Sequence, residues 1–175
     1  MSTFTLDKIH SGIGFQVKHM MVSKAKGEFK NFDVTVEGDI NNLEALKINA
    51  SIDAASINTN NNDRDAHLRS ADFFDAESYQ TIKIEGQSIK KISDEEYELT
   101  ALVTIKDVTN TETFKVEFNG ISKNPMDGSS VTGFDVEGKI NRETYGLTWN
   151  AALETGGFLI GKEVKLTANF EFVVA

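Results

Sequence analysis

The sequence predicts an all-β domain in which about eight amphipathic antiparallel strands close into a barrel, with a short helical segment as a lid. Three observations point there. Apolar and polar residues alternate with period two along most of the 175 residues, so most segments have one dry face and one wet face. Many of these segments run to about nine to thirteen residues, longer than the usual strand of about five or six. Closing long, bent strands into a barrel removes the exposed edges that a two-sheet sandwich, the other arrangement the pattern allows, would keep. Finally, "RDAHLRSADFFD" (64–75) breaks the alternation with clustered charge and a double phenylalanine.

The elements follow in order. Ile13, Phe15, Val17 and His19 share the apolar face of the first segment. Phe29 starts the second, whose parity flips at Lys30-Asn31 and resumes as Phe32, Val34, Val36, Gly38 and Ile40, as a β-bulge would make it do. Leu46, Ile48, Ala50 and Ile52 form the third stripe, and Ile82 and Ile84 the fourth. In the second half the stripes are Tyr97 to Ile105 at every other residue, then Phe114, Val116 and Phe118, then Phe134, Val136 and Ile140. The last carries Val164, Leu166, Ala168, Phe170, Phe172 and Val174. Three copies of Val/Ile-Glu-Gly (36–38, 84–86, 136–138) put a glycine at an apolar position, which leaves space or marks a kink. The whole chain, 1–175, reads as a single domain.

The inner faces define the candidate ligand-binding residues: Phe15, Val17, His19, Phe29, Ile48, Ile52, Leu99, Val103, Phe114, Val116, Phe134 and Phe170. An eight-stranded bore is either filled by its own side chains or holds one small guest, and the pattern leaves both open. Phenylalanines could plug it, whereas Ala50, Ala101, Ala168 and the glycines would leave a channel. An open bore has almost no charge on its wall, so its guest is apolar along its length and keeps any polar head at the rim.

The exceptional stretch lies between the third and fourth strands, hence at one end of the sheet. Asn62 or Asp63 would cap a short helix with Asp65 in its first turn. Leu68 and Ala71 would face inward, Arg64 and Arg69 would reach polar surroundings, and Phe73 and Phe74 would anchor the end on the core. This is a lid or an ordinary capping helix. Arg64, His67 and Arg69 suit an anionic head group, and the alternative is that Arg64 pairs with a nearby aspartate. Tyr145 and Trp149 would shape a mouth or pack in the core.

A net charge of −9 with interleaved basic residues excludes a nucleic-acid surface, and it disfavours electrostatic docking on anionic membranes. No apolar run is long enough to span a bilayer, so no stable membrane insertion is expected. The first residues show no export signal, and the chain has no cysteine, which together fit a cytoplasmic location.

"DKIHSGIGFQVKH", "GEFKNFDVTVEG", "ASIDAASINTNNNDRDAHLRSADFFD" and "KINRETYGLTWNAALETGGFLIGKEVKLTANFE" stand in an order that resembles YceI-like proteins across essentially the whole chain. The Arg-Asp-x-His-Leu-x-Ser-x-Asp-Phe-Phe-Asp block is the most specific part. The resemblance implies a lipocalin-like eight-stranded barrel with a long apolar lumen. It also implies a long-chain isoprenoid lipid as partner, quinone-like or a prenyl phosphate, and no cofactor; such barrels can form homodimers. Many relatives carry an export signal that this chain does not show. Many also have a Gly-x-Thr-x-Pro-Val-like element where this one reads "DVTNTETFKV".

Catalytic and metal chemistry find little footing. His10, His19 and His67 lack the short spacing of a zinc motif, and no metal site is expected. His19, closing an apolar stripe, reads as a buried histidine hydrogen-bonded to a neighbour. Ser11, His10 and Asp7 could be imagined as a hydrolase triad, but adjacent serine and histidine rarely align for proton transfer, and no nucleophile elbow is present. Asp-x-x-His-Ser instead reads as a tight turn whose side chains satisfy backbone groups. Binding, not catalysis, is the expectation.

Overall fold

A computed structural model of the chain describes residues 2–153 and 157–175. Its strands are β1 (Ser2–His19), β2 (Ser23–Phe29), β3 (Phe32–Gly38), β4 (Lys47–Asp53), β5 (Ile57–Asn58), β6 (Thr81–Lys91), β7 (Glu96–Ile105), β8 (Val108–Lys123), β9 (Ser130–Asn141) and β10 (Ile160–Val174). One α-helix, α1 (Asn62–Arg69), interrupts the meander. Neighbours pair antiparallel in the order β10-β9-β8-β7-β6-β4-β3-β1, and β10 returns to β1. Because β2 and β3 follow one another beside β1, and β5 continues β4 to pair with β2, the ring is an eight-stranded closed barrel. The expected architecture holds.

Two strands reach further than the periodicity indicated. β1 begins at Ser2 because Phe4 and Leu6 already face the core; a register shift between Asp7 and Gly12 then moves the inward parity to Ile13 and Phe15. The next strand begins at Ser23 rather than at Phe29. At Lys30-Asn31 the chain breaks between strands, where a bulge within one strand was expected. There the Lys30 amide donates to the Ser56 carbonyl at 3.1 Å, and Asn31 O accepts from the Asp53 amide at 2.9 Å. This break lets β2 pair with β1 while β3 turns to β4.

The directions of the strands sort the connections. The β1–β2 turn, α1, the β7–β8 turn and the described residues of the β9–β10 connection gather at one end, the top. The 39–46, 92–95 and 124–129 connections lie at the bottom. The first and last strands are zipped there, Thr3 and Ala175 exchanging amide bonds of 2.8 and 3.0 Å. Leu43, from the 3-10 turn Leu43–Ala45, is buried at this lower end.

The glycines explain how a phenylalanine-rich wall stays thin. Phe15 stands directly across from Gly27, and a Cβ there would collide with the Phe15 ring. A Cβ on Gly138, the neighbour of Phe114 across β8 and β9, would lie 2.5 Å from Phe114 Cδ1. Each ring occupies space that a side chain on the glycine of the adjacent strand would need, so part of its bulk is taken up by the wall.

Candidate functional site

The bore is open. A cavity of about 620 Å³ runs inside the barrel, within the range of small-molecule sites. Its lower wall includes Val36, Leu43, Leu46 and Tyr97. Higher up, the inner faces contribute Ile48, Ile52, Leu99, Val103, Phe114, Val116, Phe134 and Phe170. Phe15, Val17, Phe29 and Phe74 follow, then His19, Arg64, His67 and Trp149 at the top. The twelve strand residues nominated from the sequence, with Arg64, His67, Phe74 and Trp149, therefore line the cavity. Lys18, Asn61 and Asp63 are exposed and yet line it too, so the cavity opens at this end.

α1 covers the mouth. Its N-cap is Asn61, whose side chain accepts from the Arg64 amide at 3.0 Å, one residue before the expected Asn62 or Asp63. Asp65 lies in the first turn as expected and is buried there: it accepts the Thr59 amide at 2.8 Å and the Thr59 hydroxyl at 2.5 Å. Arg64 pairs with no aspartate. Its Nε donates to Thr59 Oγ1 and its Nη2 to Thr59 O, both at 2.8 Å, which leaves Nη1 without a protein acceptor among the described residues. Thr59 thus fastens both ends of an Arg-Asp couple, and the buried carboxylate has its hydrogen bonds.

Leu68 faces the lumen as expected, but Ala71 is exposed, because the helix ends at Arg69 and the chain turns away at Ser70. Arg69 does not reach the cavity. Phe73 is buried, and Phe74 meets Phe29 edge to face at 5.9 Å, so the double phenylalanine anchors the segment. His67 donates through Nε2 to Asp72 Oδ2 at 2.9 Å, while its ring stands against Phe73 and Trp149. His19 is half-buried at the mouth and has no side-chain hydrogen bond among the described residues, contrary to the expected buried, satisfied histidine.

One organising residue escaped sequence reading. Arg142 is buried and points all three of its guanidinium nitrogens at carbonyls: Nε to Gly161 at 2.8 Å, Nη1 to Leu147 at 2.5 Å and to Trp149 at 3.0 Å, and Nη2 to Ile160 at 3.4 Å. Burial lowers its pKa below the ordinary guanidinium value. It gathers the segment that carries Trp149 to the mouth. Tyr145, fully buried, donates to Glu112 Oε1 at 2.7 Å; burial and that carboxylate raise its pKa. It packs in the core and does not shape the mouth.

Asp7, His10 and Ser11 sit at the β1 bulge, outside the cavity. Ser11 Oγ donates to Asp7 O at 2.6 Å and accepts the Glu171 amide at 3.0 Å, so the hydroxyl serves the backbone. His10 Nδ1 lies 2.8 Å from Asp7 Oδ2 and 3.5 Å from Glu171 Oε2. The three groups converge on the outer surface because β10 lies beside β1, a juxtaposition no local spacing could reveal.

Comparison with known proteins agrees with this geometry. A UPF0312 protein of Staphylococcus aureus is 53% identical over 175 residues, covering 100% of this chain and 99% of that protein. The crystal structure of Burkholderia cenocepacia BcnA matches with a TM-score of 0.80 at 22% identity, covering 95% of this chain and 98% of BcnA. A polyisoprenoid binding domain from Saccharophagus degradans, implicated in plant cell wall breakdown, matches over 100% of both chains with a TM-score of 0.74 at 14% identity. At these identities the two structures speak for the fold alone. The model of the YceI-like domain matches residues 4–172, and with barrel, lid and relatives in agreement, the chain belongs to the YceI-like family.

Proposed function

We propose that the protein binds a long apolar isoprenoid-type lipid in the lumen, sequestering or carrying it, and that it does no chemistry on it. The observation that carries this reading is the cavity itself: about 620 Å³ walled mostly by aliphatic and aromatic side chains, with the charged residues that line it gathered at the top. A tail buried there gains about 0.8 kcal/mol per methylene, so about ten methylenes offset the cost of association. The polyisoprenoid binding of the Saccharophagus degradans domain supports an isoprenoid tail over a straight one.

The head group stays at the mouth, where Arg64 keeps Nη1 free of protein acceptors among the described residues and His67 lies alongside. Such donors suit a quinone carbonyl or a prenyl phosphate. A cytoplasmic location belongs to the same proposal and is tested by cell fractionation.

Native mass spectrometry of gently purified protein is the direct test, with an apolar adduct as the expected result. Competition between prenyl and straight acyl chains of equal carbon count then separates the isoprenoid reading from a fatty-acid or fatty-amide carrier. Equal capture of both removes the isoprenoid preference. No capture of either removes the function.

A further inference from the structure

Beside the mouth lies a surface that lumen binding does not use. The β1–β2 turn exposes Met20, Met21 and Val22, the last at 88%, and Phe158 next to it is 55% exposed. The two are joined: the Met20 amide donates to Leu159 O at 2.7 Å, and the Met21 sulfur packs on Gly157. Met20 and Met21 adopt left-handed backbone angles, φ 52° and 64°, where glycine or asparagine is the favoured residue. Large apolar side chains thus occupy a turn whose geometry does not ask for them, one residue from His19 and Leu159 in the cavity wall.

The same flank is basic although the chain carries −9. Lys18 faces Lys24 across β1 and β2, and Lys26 and Lys165 flank Gln16 in register. None of the four has a carboxylate within 4.0 Å among the described residues. Of the nearby acids, Glu163 lies by Lys139 at 3.8 Å and Glu143 by Lys162 at 3.9 Å; Glu28, two residues along β2 from Lys26, accepts from Asn58 Nδ2 at 3.4 Å, and Asp63 stands across the mouth on α1. An apolar tip bordered by unpaired lysines is the pattern of an interfacial membrane contact. Net charge disfavours membrane docking for the molecule as a whole; the segregation of these lysines reverses the sign locally.

We propose that this rim docks on an anionic lipid bilayer, the Met20–Val22 turn and Phe158 entering the interface and the four lysines meeting head-group phosphates. The mouth then opens onto the membrane, from which a guest can enter without crossing water. Docking stands on the rim alone; guest exchange rests on the lipid-binding reading above.

The test is flotation of the full chain with vesicles of phosphatidylcholine, or of equimolar phosphatidylcholine and phosphatidylglycerol, read without any guest. Binding to the anionic vesicles, weakened by salt, is expected, with quenching of the single tryptophan, Trp149, by brominated acyl chains. Lys24→Glu with Lys26→Glu, both exposed, lowers partitioning about tenfold or more, and Met21→Ser with Val22→Ser abolishes the quenching. Equal binding to both vesicle types, binding to neither, or insensitivity to either double variant overturns the proposal. So does a dimer that Met21→Ser with Val22→Ser dissociates, since the rim would then belong to a second copy. Failure of docking leaves the adduct in native mass spectrometry untouched, which keeps the two readings separable.

Discussion

The rings of His67 and Trp149 stand perpendicular, 87° apart in plane, with centroids at 4.6 Å, and they join α1 to the far side of the mouth. Phe73 backs both rings, at 5.1 and 5.7 Å. On this side the lid is held by aromatic edges and not by strand pairing. Such a pair is worth about 1 kcal/mol beyond the area it buries. Trp149→Ala is expected to speed amide hydrogen exchange in α1 roughly fivefold while leaving β7 and β8 protected. Unchanged exchange in α1 would show that the latch lies elsewhere.

Arg142 anchors the other half of that latch. Its planar fork serves four carbonyls from positions 147 to 161, and a lysine cannot reproduce the fork. Arg142→Lys should destabilise the fold by about 2–3 kcal/mol, through carbonyls left without donors. Urea unfolding measures the loss. Trp149 emission should shift to the red in the folded variant, as its segment loosens.

The glycine-backed rings make the bore adjustable. Gly138→Ala places a methyl against Phe114, 2.5 Å from Cδ1 before relaxation, so the ring must swing into the lumen. Val103, 1% exposed and in the wall, offers a second route through Val103→Trp. Both changes should weaken capture of a prenyl chain more than they lower stability, which falls by about 1–3 kcal/mol. Titration with a fluorescent prenol, alongside urea midpoints, separates the two effects. Undiminished capture by both variants would falsify the assignment of this wall.

The β1 bulge has a pH window. The hydrogen bond that His10 donates to Asp7, followed by the charges of Asp7 and Glu171, raises the pKa of His10, and the same hydrogen bond leads in lowering that of Asp7. A raised histidine stabilises the fold fully below the ordinary histidine value and stops doing so as pH climbs through the raised one. A lowered aspartate contributes above the ordinary carboxylate value and ceases as pH falls through the lowered one. The pair thus supports the bulge between those two limits. NMR titration should place His10 above an unfolded histidine, and Asp7→Asn should bring it back down. A His10 midpoint indifferent to Asp7→Asn would remove the coupling.

The inner wall was legible because one face of each strand must be dry, which writes Leu99, Val103 or Phe114 into a two-residue rhythm. Openness was not legible: it depends on Phe15 meeting Gly27 and Phe114 meeting Gly138, which are facts of register between strands. The first half of β1 hid behind its own bulge, which reverses the parity between Leu6 and Ile13. Asn61 was lost among neighbouring asparagines that could all cap a helix. Arg142 left no trace because its partners are main-chain carbonyls, which every sequence possesses. The basic flank was masked by averaging, since a total of −9 says nothing about where four lysines stand.

Thr3 and Ala175 lie bonded side by side at the floor, the barrel's whole height from Met21. Anything grafted there, whether a solid support, a dye or a fused protein, hangs beneath the vessel and leaves its opening clear. A tether at that point also fixes which way the molecule looks.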